Sequence, residues 1–333
     1  MVGNNLILSW NTTKKCNLFC KHCYRDSGPE ADSKNELSTN EGKKLINEIK
    51  SAGFKILILS GGEPLLRDDI FEIASYTSKS GLRPALGSNG TLITPEVAEK
   101  LVKSGLSVVS ISLDSLQCEY HDKFRNVPGA WEKAVFGIEN ALEAGLRVQV
   151  NTTLTENNFD QFEKIVDFVS DLGVQALHPF FLVPTGRGKE IEEDALKKDR
   201  YFQMIRFVME KQANVDLELK PTCAPQFVPI AKDIGISTRF TRGCIAGISY
   251  CCILPNGDVH ICPYLPVKAG NVRENPFNEI WAQSDIFGKL RNFEEYEGRC
   301  GKCDRIKICG GCRARAYFYN ERNFMSEDPW CKI

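Results

Sequence analysis

The chain of 333 residues contains no run of about 18 apolar residues, which excludes a membrane-spanning helix from the expected architecture. Its first residues, MVGNNLILSW, lack a basic segment and a small-residue cleavage site, so nothing there marks it for secretion. Charge of one sign is also lacking: 42 Lys and Arg stand against 43 Asp and Glu, a net charge of −1. No global field therefore favours nucleic acid or an anionic membrane as a partner. Low-complexity segments and repeats of solenoid period are missing as well, and 42% hydrophobic with 26% charged residues excludes wholesale disorder. These absences leave a cytoplasmic globular protein of roughly two domains, or one barrel with an appendage.

What is present in excess is cysteine, at 14 residues. A secreted disulfide scaffold of that density would be short and would lack a large core, whereas this chain is long. Thiols clustered two and three residues apart converge on one centre without rearranging distant backbone, so metal is their expected partner.

Residues 6 to 190 alternate short apolar strands with amphipathic helices. Strands are predicted at Leu6 to Trp10, Lys55 to Ser60, Arg83 to Ser88, Ser107 to Leu113, Leu146 to Leu154 and Ala176 to Val183. Ser38 and Glu41 form a capping box before Leu45, Ile46 and Ile49, and helical spacing recurs from Trp131 to Leu142 and from Phe162 to Leu172. Six strand–helix repeats predict an α/β fold, a partial (β/α)6 TIM-type barrel of parallel strands. A last helix near Tyr201 to Lys211 ends this rhythm. The expected division is a barrel over 1–220, an irregular bridge over 221–243, and a cysteine-rich, turn-rich domain over 244–333.

In parallel barrels the chemistry sits on loops at the C-terminal ends of the strands. Directly after the first strand stand Cys16, Cys20 and Cys23 in C-x3-C-x2-C spacing. Three ligands rather than four is the informative count. A structural zinc site takes four protein ligands, while three leave one iron of a 4Fe-4S cluster open to a small molecule. The second strand ends in Ser60-Gly61-Gly62-Glu63-Pro64, where the glycines admit close backbone approach and the Glu is an acceptor for an ammonium, a plain turn being the alternative. Asn89 follows the third strand, and Ser112 and Asp114 close the fourth, short polar groups suited to ribose hydroxyls. Arg125 offers a guanidinium for a carboxylate, and Asn151 either caps a turn or touches a ligand.

Cys16-x3-Cys20-x2-Cys23 followed by GGEP resembles the radical S-adenosylmethionine (SAM) superfamily. The resemblance implies that Cys16, Cys20 and Cys23 hold a 4Fe-4S cluster whose open iron chelates SAM. Gly61, Gly62 and Glu63 would meet its amino group, Arg125 its carboxylate and Ser112 its ribose, with His22 against the cofactor in a position usually aromatic. Reductive cleavage would give methionine and a 5′-deoxyadenosyl radical, and the protein's part would be positioning and exclusion of water and oxygen.

Cys244, Gly257 and Cys262, then Cys300-x2-Cys303-x5-Cys309-x2-Cys312 and Cys331, resemble the SPASM extension of such enzymes, which usually carries two auxiliary clusters. That pattern assigns Cys300, Cys303, Cys309 and Cys331 to one 4Fe-4S cluster. To the other it assigns Cys244, Cys262, Cys312 and either Cys251 or Cys252, with Cys251 preferred. Together with the SAM-binding cluster this makes three. The spacing departs from the family at Cys309 to Cys312, where C-x3-C is usual. Cys118, Cys223 and Cys252 are left over.

Lys220-Pro-Thr-Cys-Ala-Pro-Gln-Phe227, Cys312-Arg-Ala-Arg-Ala-Tyr317 and Glu327-Asp-Pro-Trp-Cys331 resemble the tetrapyrrole-modifying branch, in particular its haem-synthesis members. This implies oxidative decarboxylation of two propionates of iron-coproporphyrin III to vinyls. A related tetrapyrrole substrate, a peptide or sulfatase substrate, and a non-catalytic electron carrier are the alternatives. The peptide reading is weakened by the chain's entering its first strand within six residues, which leaves no place for a leader-binding domain. Arg187, Arg239, Arg242, Arg313 and Arg315 are candidates to hold the macrocycle's carboxylates, solvated surface positions being the alternative. Arg187, on Pro184-Thr-Gly-Arg-Gly188, is preferred. Cys223 and His178 would ligate the macrocycle iron or shuttle protons, or else be buried structural groups. The expected partners are an iron-tetrapyrrole and a reductant such as ferredoxin or flavodoxin, the chain acting as a monomer without nucleic acid or membrane.

Overall fold

The computed structural model describes residues 6–332. Six parallel strands follow one another as predicted, each returning through a helix: β1 (Leu6–Asn11), β2 (Phe54–Ser60), β3 (Arg83–Ser88), β4 (Val108–Ser112), β5 (Arg147–Leu154) and β6 (Ala176–Phe181). The intervening helices are α1 (Thr39–Ser51), α2 (Ile70–Lys79), α3 (Pro95–Lys103), α4 (Cys118–Arg125), α5 (Ala130–Glu143) and α6 (Phe162–Asp171), and α7 (Lys198–Gln212) leads to the two-residue β7 (Glu218–Leu219). The capping box at α1 is formed, Ser38 accepting from the Glu41 N–H and Glu41 reaching back to the Ser38 N–H.

Side chains alternate along these strands between a buried outer face and a half-exposed inner one. The outer face packs on the helices. Trp10 is fully buried there against α1, where only a glycine, Gly42, leaves room for its ring. The inner face is polar: Asn11 stands beside Ser60, and Ser112 beside Asn151, which stands beside His178. An open barrel with a polar lining is thus built, closed on its outside by apolar packing.

Two features differ from the sequence expectation. The bridge is not irregular throughout, because Phe227–Asp233 forms a helix, α8, that packs on α7. The tail is not merely turn-rich. It contributes β8 (Tyr250–Ile253), β9 (Asp258–Cys262) and β10 (Leu265–Asn271), and β8 pairs in parallel with β1. The sheet therefore has ten strands in the order β10-β9-β8-β1-β2-β3-β4-β5-β6-β7. Short helices α9 (Phe277–Gln283), α10 (Asp285–Arg291), α11 (Gly298–Lys302) and α12 (Arg313–Tyr319) complete the tail. Among the described residues no helix is long and apolar enough to cross a membrane.

Candidate functional site

The loop after β1 is held in place before any ligand is considered. Its backbone is pinned by Cys16 N to Gly28 O (3.1 Å), Phe19 N to Arg125 O (3.3 Å) and Lys21 N to Phe124 O (3.0 Å). Cys16, Cys20 and Cys23 project from this loop, close enough for their charges to interact. The Leu18 N–H points at Cys16 Sγ (3.4 Å), and Asn89 Nδ2 and Arg125 Nη1 approach Cys16 and Cys20 Sγ at 3.8 Å. Burial pushes the Cys16 thiol up to about 12 and raises Cys20 as well. A buried thiolate set needs such N–H donors and a compensating cation. Three thiols on one loop, met by those donors, fit a 4Fe-4S cluster with one open iron.

Each predicted cofactor residue has a definite place. The glycines of the GGEP turn pack on the loop leading to the cysteines: a Cβ on Gly61 or Gly62 would collide with the backbone of Thr13 or Lys15. The Gly62 and Glu63 N–H groups bond Thr13 O and Lys15 O, both at 2.8 Å, and Pro64 starts the short helical turn that follows. Glu63 is corrected from a ligand acceptor to a framework group. It is wholly buried, accepting from Ser88 Oγ (2.9 Å), Asn89 N (2.8 Å) and Leu65 N (3.1 Å), and burial raises its carboxyl to about 7. Asp114 is corrected likewise. It is sealed from solvent, with Oδ2 on Arg125 Nε (2.7 Å) and Oδ1 on Thr153 N (2.8 Å), so it orients Arg125 instead of meeting a ribose. Arg125 stands between that carboxylate and Cys20. His22 stacks on Phe124 with ring centroids 4.2 Å apart, and burial with the nearby Arg125 charge holds it neutral. Ser112 and Asn151 lie side by side on the inner face. Asn89 bridges Asn17 (2.8 Å) and Cys16.

The predicted substrate arginines are mostly occupied. Arg187 donates to Cys20 O (2.9 Å) and Ser27 O (2.8 Å) and stacks over Phe19 at 3.9 Å, so it clamps the cysteine loop instead of facing a carboxylate. Arg242 bonds the carbonyls of Cys244, Ile306 and Lys307. Arg313 bonds those of Phe324 and Ser326, and Arg315 grips Asp328 with both partners fully buried. Arg239 is exposed but pairs with Glu218, beside the N-terminal end of β6 and thus away from the cysteine loop. A depression of about 500 Å³ lined by Asp216, Thr238 and Phe240 lies at that same end. His178 also turns toward Glu218 (3.5 Å), and burial lowers it to about 4, leaving a neutral ring.

In the tail, Cys300, Cys309 and Cys331 are near neighbours, and Cys303 sits one turn from Cys300. Arg313 Nη2 and the Asp328 N–H meet Cys300 Sγ at 3.4 and 3.5 Å. Cys244, Cys262 and Cys312 form a second group. Cys251 is not brought to it: that side chain lies on the outer face in the apolar core, beside Arg291. Cys252 points the other way, accepting from Arg25 Nη2 at 3.2 Å. Cys223, left over in the sequence pattern, lies beside Cys312, and its interaction with that thiol holds Cys312 down to about 7. Both thiol groups fit the same kind of cluster as the loop after β1, from their donor chemistry. Sequence reasoning missed Arg25, whose Nε also bonds Asn11 at 3.0 Å and which thereby ties the cysteine loop to the tail; its place directly after Cys23-Tyr24 was the signal.

Residues 10–169 match the Radical SAM superfamily model, and residues 244–313 match SPASM, an iron-sulfur cluster-binding domain. The chain is 42% identical to the AdoMet-dependent heme synthase of Methanosarcina barkeri, over 98% of this chain and 95% of that protein. The chain belongs to the AdoMet-dependent heme synthase family of radical SAM enzymes. A second heme synthase, from Nitratidesulfovibrio vulgaris, is 40% identical over 98% of this chain and 91% of its own length. The fold matches that of Streptococcus suis SuiB bound to S-adenosylmethionine, with a TM-score of 0.79 at 20% identity, covering 99% of this chain and 77% of that one. As a member of this family the protein is a SAM-dependent oxidative enzyme with a SAM-binding 4Fe-4S cluster and auxiliary clusters. The partial barrel and the SPASM assignment expected from sequence both hold.

Proposed function

We propose that the protein converts two propionates of iron-coproporphyrin III to vinyl groups, giving haem b. For each propionate the β-carbon loses a hydrogen atom, carbon dioxide leaves, and one electron departs as the double bond forms. SAM bound at the Cys16, Cys20 and Cys23 cluster would supply hydrogen-atom abstraction, and an auxiliary cluster held by the tail would supply an acceptor for the electron. The observation that carries this reading is the joining of the three-cysteine loop to the tail through Arg25, on the inner side of one continuous sheet. This contact supports a reading in which hydrogen abstraction and electron removal are served from the same side of the sheet. The heme synthase relatives supply the substrate class.

The chain's own residues bind and orient. Cys16, Cys20 and Cys23 hold the first cluster. The carbonyls of Gly61 and Gly62 take the ammonium of SAM, since the Glu63 side chain is already occupied. Arg125, fixed by Asp114, meets its carboxylate, while Ser112 and Asn151 face its ribose from the inner wall. Residues 1–220 act as the barrel, 221–243 as the bridge and 244–333 as the cluster-bearing tail. A cytoplasmic setting, a small electron-transfer protein as reductant and a monomeric state complete the proposal.

Anaerobic incubation of the reconstituted, reduced protein with SAM and iron-coproporphyrin III tests it. Mass analysis should show a product lighter by one carbon dioxide and two hydrogens for each of two propionates. SAM cleavage with an unchanged porphyrin would overturn the substrate assignment.

A further inference from the structure

Cys244, Cys262 and Cys312 supply three thiols to the second auxiliary site, and the fourth place lies open to Cys251, Cys252 or Cys223. Cys251 is fully buried on the outer face of the sheet, so a cluster on the inner side is out of its reach. Cys252 faces inward, where its sulfur accepts from Arg25 Nη2 at 3.2 Å, but of the three group thiols it neighbours Cys262 alone, whereas Cys223 neighbours both Cys312 and Cys262. We infer that Cys223 is the fourth protein ligand of this cluster, reached from the bridge and not from the tail. The inference rests on the reading that the tail carries auxiliary clusters, and it needs no particular substrate.

Three independent anchors place Cys223 there. Its thiol lies close enough to that of Cys312 for the two to interact directly, and Cys262 is a near neighbour of both. Its backbone is fixed from the barrel side, because Thr222 N bonds Pro179 O (2.8 Å) and Phe181 N bonds Thr222 O (3.0 Å), docking the bridge on the C-terminal end of β6. From the tail side, Arg315 Nη1 bonds Cys223 O (3.1 Å). The same arginine holds Asp328, which accepts the Cys312 N–H at 2.9 Å. One buried ion pair thus sets the positions of both cysteines. Cys244 comes to the same place through its N–H on Cys309 O (2.8 Å) and the close approach of Gly310. Cys223 itself adopts φ +61°, a left-handed conformation that residues bearing a β-carbon rarely take. Four segments therefore converge on one group of four thiols. On ligation each gives up its proton, and the set becomes four thiolates, the complement of a closed 4Fe-4S cluster.

The test uses the full chain, reconstituted anaerobically, in four forms: wild type, Cys223→Ala, Cys251→Ala and Cys252→Ala. Iron and sulfide per chain are measured, with electron paramagnetic resonance of the reduced samples. Cys223→Ala should lose up to about one-third of the iron and one auxiliary signal, while Cys251→Ala and Cys252→Ala keep both. Cys223→Ser guards against misfolding: an oxygen ligand retains the cluster with a shifted signal, whereas a cysteine of purely structural role would leave the signal unmoved. Full iron and an unaltered spectrum in both Cys223 variants would overturn the inference, as would loss of the cluster on replacing Cys251 or Cys252. Neither readout involves a tetrapyrrole, so failure here is distinguishable from failure of the proposed substrate.

Discussion

Arg187 leaves the loop after β6 and runs back to the three-cysteine loop, where two carbonyls accept its N–H groups and Phe19 covers its face. Gly186 lies against the backbone of Cys23 and Tyr24 with φ +56°, and a side chain there would push the two loops apart. A guanidinium so placed acts on the geometry of the cluster ligands. Charge-assisted bonds of this kind contribute about 1.5 to 3 kcal/mol. Arg187→Ala should therefore loosen the loop, and the SAM-binding cluster should bleach severalfold faster under a chelator than in wild type, with affinity for iron-coproporphyrin III little changed. A variant that holds its cluster normally but binds the porphyrin tenfold more weakly would return Arg187 to the substrate. Arg242 and Arg313 show the same use of arginine, several donors satisfying several carbonyls around cluster loops that have little regular hydrogen bonding of their own, while Arg315 directs most of its donors to the Asp328 carboxylate.

At the scale of elements, the N-terminus of α1 joins barrel and tail. Glu41 completes the capping box with Ser38 and also takes Arg273 Nε at 2.6 Å, while that guanidinium bonds the carbonyls of Asn35 and Glu36. The Arg273 bond and the Ser38 N–H hold the Glu41 carboxyl down to about 2, against an ordinary value of 4.5. A carboxyl depressed on folding stabilises the native state above its ordinary value, and that contribution is lost as pH falls from about 4.5 toward about 2. The pair is well exposed, at 38% and 39%, so solvent screens it and its worth stays below about 1 kcal/mol. Glu41→Gln keeps the capping geometry and removes the charge. It should melt slightly lower than wild type at neutral pH and low salt, with the gap narrowing below about pH 4.5, closing only toward pH 2, and shrinking in high salt; a gap independent of pH would show that the charge contributes nothing. The capping box itself was legible in the sequence because it is local, as were the six barrel strands, whose apolar runs stand apart from helical ones. β8, β9 and β10 were not, since they are short, carry Cys251, Cys252 and Cys262, and owe their order to pairing with β1, about 240 residues away. The cysteine motifs could be read, but the partner of Cys312 could not, because Cys223 lies 89 residues before it and only the folded bridge brings them together.

At the scale of the molecule, the tail is the continuation of the barrel sheet and not an appendage on a linker. β1 lies between β2 and β8, bonded to β8 over Ile7 to Trp10, so removing the tail would turn an interior strand into an edge. That edge is apolar and unprotected, the kind of strand that pairs with other chains. Removal would also strip Arg315 and Asp328 from Tyr201 and Gln226, two wholly buried polar side chains of the barrel and bridge. The two keep their bond to each other at 2.6 Å, but Gln226 Nε2 loses its carboxylate acceptor and the Tyr201 hydroxyl its guanidinium donor, at a cost of about 1 to 3 kcal/mol. A chain ending at residue 243 is therefore expected to aggregate or to melt far below the full protein. Cys303→Ala, by contrast, alters one proposed cluster ligand and leaves the sheet intact. It should stay monomeric, cleave SAM to deoxyadenosine in the presence of reductant, and fail to yield vinyl product. Size-exclusion chromatography, melting curves and product analysis on the two variants separate these roles. A truncated chain that runs as a monomer, melts like the full protein and cleaves SAM would show the tail to be structurally independent, and the continuity of the sheet would then be of no energetic consequence.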